Sequence, residues 1–406
     1  MSKVRQVNAK KAGPWRPIAM VVVAAGILLL LLRPLPLLGY SPQADAQDQP
    51  SWGELTETPV VISPPAEFIP TDAGPVAPPL WYFPRTSIDG VKQTFLAAGF
   101  SDEEAIQLLA EARPDARHGG FAVAPDPELV RAIKPQVRAR LYRGLAASPL
   151  NFFQQAAYRF FGTSPDAWLG AGLAPGTRAL VDPLIYRDGS FLFFADLELV
   201  RGRIGNGPEL QRLLKRLLSQ ATVLVSLRAT DASRLDSLVE YWGRGGRKTD
   251  IRPLLESIAG SRVNQSIDIT HLLPETARRL LYRYPKVSVA DLRKPQLANC
   301  FWTALNFFND DPDDRLLDPE IALQELHRDY FLVQDALQLG DIVALSDDEM
   351  NIFHVAVYIA DDLVFTKNGY FSLAPWTILP IDRLKGHFAE RGDDYRVTYH
   401  RRRDLL

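Results

Sequence analysis

At 406 residues the chain is long enough for two or three domains and a large buried core. Hydrophobic residues make up 47% and charged residues 23%, and a formal net charge of -2 gives no electrostatic reason to expect nucleic acid. A single cysteine, Cys300, excludes an intrachain disulfide, so packing must hold the fold.

Residues 1–16 carry Lys3, Arg5, Lys10, Lys11 and Arg16 and no acid, and an uncharged run follows from Pro17 to Leu32. At ~1.5 Å rise per residue that run spans ~24 Å, and "PLPLL" beyond Arg33 extends its apolar contact. Residues 17–38 are therefore expected to form a single-pass signal anchor in the inner (cytoplasmic) membrane. The basic flank stays in the cytoplasm and the folded domains lie outside it, in the periplasm. Cleavage after the small residues Ala44 to Ala46 is the competing reading; Arg33 and the long gap after the apolar run argue against it. Residues 39–84 combine repeated prolines with apolar residues that follow neither the helical nor the strand period, which reads as an extended linker. On that reading a chain beginning near Trp81 folds by itself.

Residues 85–285 read as a mainly helical α+β domain of unassigned role. Ser101 and Glu104 form a capping-box pair, and Asp126 with Pro127 begins a helix expected to run on through "KPQVRARLYRGLA". "FLFFADLELV" after Gly189 and "TVLVSLRA" from Thr222 read as strands. "GRGGRKT" from Gly243 lacks the glycine that precedes the lysine of a phosphate loop, and His118 and His271 have no second ligand at metal spacing. Arg212, Lys215 and Arg216 lie off the leucine stripe of their helix and read as a solvated face.

In residues 286–406 the stretch "LANCFWTALNFF" places Phe301, Ala304, Leu305 and Phe308 at helical spacing after Cys300, which puts the thiol at a helix start. The positive end of a helix dipole favours a thiolate there, although a lone cysteine is more often a buried structural residue. Strands are expected over Asp341 to Leu345, Ile352 to Ala360 and Leu363 to Lys367, with a tight turn at Asp361 and Asp362. Alternation puts Val355, Val357 and Ile359 on one face of the middle strand and His354, Ala356 and Tyr358 on the other. Thr366 and Asn368 share a face of the next strand, where a third polar group would orient the imidazole.

A cysteine opening a helix, then Gly340 with Asp341, then "HVAVYIADDLVF" from His354 resembles the NlpC-type cell-wall cysteine peptidases of the papain-like superfamily. The resemblance covers about the last quarter of the chain. It implies a helix bearing the cysteine on an antiparallel sheet. In that fold Cys300 attacks an amide carbonyl, His354 serves as base and then acid, and the Cys300 N–H contributes to an oxyanion hole. Asn368 is the expected orienting residue, with Thr366 as the alternative. Where members of that family carry "DCSGF", this chain has Asn299, Cys300, Phe301 and Trp302, so small residues around the nucleophile are replaced by aromatic ones.

The implied function is a membrane-tethered cysteine peptidase or amidase acting on peptidoglycan stem peptides or another amide, without metal or organic cofactor. Two rivals keep the same fold: an idle binding or scaffold protein, and a thiol acyltransferase. Because every early basic residue precedes the apolar run, a reporter fused after Leu406 is expected to be active only outside the cytoplasm. Activity confined to the cytoplasm would contradict this topology.

Overall fold

A computed structural model describes residues 50–69, 76, 78–205, 207–228, 232–259, 265–285, 298–368, 374–388 and 395–405. The anchor expected over 17–38 lies outside the described residues, and among those described no helix is long and apolar enough to cross a membrane. The architecture is α+β, with strands arranged in antiparallel sheets.

The first strand falls inside the expected linker. β1 (Glu54–Ile62) pairs along its whole length with Gln220–Arg228, from Glu54 opposite Arg228 to Ile62 opposite Gln220. Thr56, Thr58, Val60, Val61 and Ile62 favour an extended backbone, and Pro59 is tolerated because β1 is an edge strand. Neither of its faces is well buried, so no apolar period betrays it.

β2 (Trp81–Pro84), α1 (Ile88–Ala98), α2 (Asp102–Ala110), β3 (Ala112–Pro114) and β4 (Gly120–Val123) follow, with the strands in the order β2-β4-β3. The Ser101 and Glu104 capping box is formed as expected. The long helix expected after Asp126 is two helices, α3 (Pro127–Ala132) and α4 (Pro135–Ala146), because Pro135 lacks an N–H and holds Lys134 extended.

Next come α5 (Phe152–Gln155), β5 (Tyr158–Phe161), α6 (Pro165–Leu169), α7 (Pro175–Val181), β6 (Tyr186–Asp188), β7 (Phe191–Phe194), α8 (Leu197–Ile204) and α9 (Pro208–Leu217). The strand read over "FLFFADLELV" thus stops at Phe194 and gives way to α8. Trp81, Phe95, Tyr142, Trp168, Phe194 and Leu213 belong to one apolar core. Inside it the Tyr142 hydroxyl donates to Asp196 Oδ1 at 2.6 Å, and Arg138 Nε lies 3.5 Å from Asp196 Oδ2.

A second core begins on β8 (Gln220–Arg228). Around it are α10 (Leu235–Trp242), α11 (Lys248–Ala259), β9 (Ser266–Asp268) and α12 (Glu275–Leu280), followed by α13 (Cys300–Leu305), α14 (Pro319–Asp329) and β10 (Tyr330–Leu332). The remaining elements are β11 (Ile342–Ser346), β12 (Ile352–Ala360), β13 (Leu363–Lys367), β14 (Trp376–Pro380), α15 (Ile381–His387) and β15 (Arg396–Arg402). Their sheet has the order β10-β15-β11-β12-β13-β14. Val225, Trp242, Leu255 and Leu272 share one core with Phe307, Val357 and Phe365, so the boundary expected at 285/286 is not a boundary in packing. Thr222 Oγ1 donates to the Ile378 carbonyl and the Tyr241 hydroxyl to the Ile359 carbonyl, each at 2.7 Å. The change of core falls instead near Leu217 to Val223.

Gly340 and Asp341 have structural work. Gly340 has φ +92°, and a Cβ there would stand 2.1 Å from the Phe308 ring. Asp341, 1% exposed, accepts from Arg401 Nε at 2.8 Å and Nη2 at 2.7 Å, and from the Gln338 amide at 2.8 Å. This bidentate bond ties β15 to the start of β11.

A chain beginning at Trp81 lacks β1 and also Trp52, whose carbonyl accepts from Trp242 Nε1. Such a chain is expected to aggregate or melt at lower temperature than one beginning at residue 50, because the edge of β8 is uncovered. Equal melting of the two chains would contradict this. Gly340→Ala is expected to destabilise the fold by about 1–3 kcal/mol in denaturant titration, from positive φ and overpacking together.

Candidate active site around Cys300 and His354

Asn299 starts α13: its Oδ1 accepts from the Trp302 amide at 2.9 Å and its carbonyl from Thr303 Oγ1 at 2.7 Å. Cys300 is therefore the first helical residue, as the spacing predicts. The helix lies on the sheet face formed by Val355, Val357, Phe365 and Ile378, and the half-buried Cys300 packs against that cluster. The Val355 amide is near enough to act on the thiol. Burial pushes the Cys300 thiol above its ordinary value. The amides of Val355, Phe301 and Cys300 and the charge of Lys367 pull the other way without overcoming it. Desolvation thus outweighs the helix start in its influence on this thiol, since six residues give a weak dipole.

His354 lies on β12 as expected, 2% exposed, with its ring centroid 4.6 Å from that of Phe388 just after α15. Ala356, Tyr358, Val364 and Leu384 pack in the same cluster as Phe388. Its Nε2 lies 3.0 Å from Thr366 Oγ1, and the Thr366 hydroxyl donates to Asn368 Oδ1 at 3.3 Å. With that hydroxyl proton directed to Asn368, the His354 Nε2–H donates to Thr366. Of the two candidates for third residue, Thr366 meets the ring directly and Asn368 stands behind it. The structure brings these three together on the α15 face, and places Cys300 on the α13 face next to the amide of the residue that follows His354.

The sequence reading passed over the residues that complete each face. On the α13 face Lys367 alternates with Thr366 and is 2% exposed. Its ammonium lies 5.4 Å over the Trp376 ring, and Trp376 Nε1 donates to Thr303 Oγ1 at 2.9 Å, one turn along α13 from Cys300. Burial lowers the Lys367 value to about 8, against the opposing pull of Cys300. The pleat that grouped Thr366 with Asn368 was the available signal, because it assigns Lys367 to the other face.

On the α15 face a crevice lined by Asn368, Thr377, His387, Arg383, Gln220 and Phe161 separates β5 from β14 and α15. Burial first, then the charges of Arg159 and His354, hold His387 well below its ordinary value. The Arg383 guanidinium lies 4.4 Å from the centroid of the Phe161 ring, and Arg159 Nη1 donates to the His387 carbonyl at 3.0 Å. Among the described residues no group of three or more His, Cys, Asp or Glu side chains is arranged to hold a metal ion.

No family model, curated protein or solved structure matches this chain.

Lys367 supplies a pH dependence. Between about pH 8 and the ordinary lysine value the unfolded chain holds a proton at this site that the folded chain has released, so stability contributed here rises with pH across that window. Below it, folding carries the full penalty of a desolvated ammonium. Lys367→Met is expected to stabilise the fold at pH 7, by at most about 3 kcal/mol, and the gain should shrink towards pH 10 in denaturant titrations. Destabilisation at pH 7 would show that the ammonium makes bonds worth more than its burial.

Proposed function

We propose that this protein is a papain-like cysteine hydrolase of NlpC type, cleaving amide bonds with Cys300 as nucleophile. The observation that carries the reading is the seating of the thiol: first residue of a buried helix, laid on an antiparallel sheet, against the backbone of the strand that holds His354. Cys300 attacks the amide carbonyl and forms a thioester, which water then hydrolyses. His354, held by Thr366 with Asn368 behind it, is the base expected from the sequence. To reach the thiol its proton path must pass from the α15 face of the sheet to the α13 face. Exported wall peptides suit an enzyme held outside the membrane by residues 17–38, and neither metal nor organic cofactor enters the chemistry.

One observation favours the idle scaffold as a second reading. Burial raises the Cys300 thiol, and the aromatic Phe301 and Trp302 fill the positions where small residues would be expected. Digestion of purified wall material by the wild-type protein and by Cys300→Ala separates the two. The hydrolase reading expects new amino termini with the wild type and at least a hundredfold fewer with the variant. Equal release by both proteins, or none by either, would leave the scaffold.

A further inference from the structure

We propose that Lys367 is the group that takes up the Cys300 proton, so that thiol and amine form the reacting pair on the α13 face. The inference rests on the hydrolase reading for its substrate and deepens it by naming the base. Pleat alternation along β13 sets Lys367 on the same side as Leu363 and Phe365, which share the cluster that receives Cys300, while Thr366 and Asn368 turn to the α15 side with His354. Lys367 is almost completely buried, and its ammonium is held over Trp376, which is itself bonded to α13 through Thr303.

Among the described residues, α13 brings Cys300 as its ionisable side chain, β13 brings Lys367, β14 brings none, and β12 brings His354 and Tyr358, both on the far face. Asp314, in the turn that packs on α13, accepts from Trp302 Nε1 at 3.1 Å, and Tyr282, whose amide donates to the Trp376 carbonyl, donates its hydroxyl to the Val223 carbonyl. The charges of Cys300 and Lys367 each act on the other, and burial has already lowered the lysine to about 8. Their titrations are therefore linked. The singly deprotonated pair then includes the species with sulfur ionised and nitrogen protonated.

The chemistry balances. The S–H bond breaks and its proton moves to the Lys367 nitrogen lone pair, while the sulfur electrons form a bond to the amide carbon and the carbonyl π pair moves to oxygen. Collapse of the tetrahedral species breaks the C–N bond, and the leaving amine takes the proton back from Lys367. The free amine then accepts a proton from the water that attacks the thioester, and passes it to the departing sulfur. No oxidant or further reactant is required.

Because Cys300 is the sole cysteine, alkylation by iodoacetamide, read as intact mass after short exposure, reports this thiol and no other. Rates across pH 6 to 10 would be compared for the wild type, Lys367→Gln and His354→Gln, with far-UV circular dichroism confirming that each is folded. The wild-type rate should rise with an inflection near pH 8, and Lys367→Gln should lose that inflection and react at least tenfold more slowly at pH 8. An unchanged profile in Lys367→Gln, or loss of the inflection in His354→Gln alone, would overturn the proposal while leaving Cys300-dependent hydrolysis standing.

Should Lys367→Gln not fold, the reciprocal measurement uses Cys300→Ala. Removing the thiol should move the pH at which Lys367 becomes reactive to trace acetic anhydride downward, since the sulfur holds that amine's value up. No movement would overturn the pairing. A Lys367-dependent profile in a protein that leaves wall material intact would support the pair and reject the hydrolase.

Discussion

The pleat of β12 and β13 is the constraint on which the candidate site depends. Side chains on a strand alternate strictly, so a single position decides which face of the sheet a residue serves. His354 and Thr366 fall on the face covered by α15, whereas Val355 and Lys367 fall on the face covered by α13 and its cysteine. A one-residue slip would exchange the two sets. Register is held against such a slip by the Asp341–Arg401 bond that fixes the start of β11 against β15, and by the His354–Thr366 bond between β12 and β13.

Burying Lys367 on the α13 face is an unfavourable choice for folding alone. A buried ammonium shifts toward its neutral form, and the surrounding core must outweigh the desolvation that remains. The second core is large enough to do so because it is not confined to the C-terminal sheet. β8, α10, α11 and α12 contribute Val225, Trp242, Leu255 and Leu272 to it, and β1 covers the outer edge of β8. The segments on either side of the expected 285/286 boundary thus act as one supporting body for the site.

Much of this was legible in the sequence where one physical signal dominates. The capping pair at Ser101 and Glu104, the cap at Asp126, the start of α13 at Cys300 and the bounds of β12 and β13 all follow from local hydrogen-bonding chemistry or strict alternation. Three features were hidden for identifiable reasons. β1 buries neither face well, so it carries no period, and its pairing partner lies more than 150 residues away, at Gln220–Arg228. Pro135 divides α3 from α4 within a continuous amphipathic pattern, where its missing N–H outweighs periodicity. Lys367 ends an apolar strand, and a charged residue there gives no local sign of burial; its register partner Trp376 on β14 and the helix α13, far away in sequence, make it interior. The His354 partner was narrowed to two residues because Thr366 and Asn368 share a face, but choosing between them needed the distance.

The assignment of faces is tested most directly by proton–proton contacts of the His354 ring in solution, using ring-labelled histidine in an otherwise deuterated protein with protonated cysteine, lysine and phenylalanine. The account predicts contacts from the His354 ring to Phe388 and none from it to the Cys300 methylene, with Cys300 in contact instead with the Lys367 side chain. Strong contacts between the His354 ring and Cys300 would contradict it, and would return the pair to the arrangement that the sequence resemblance implies.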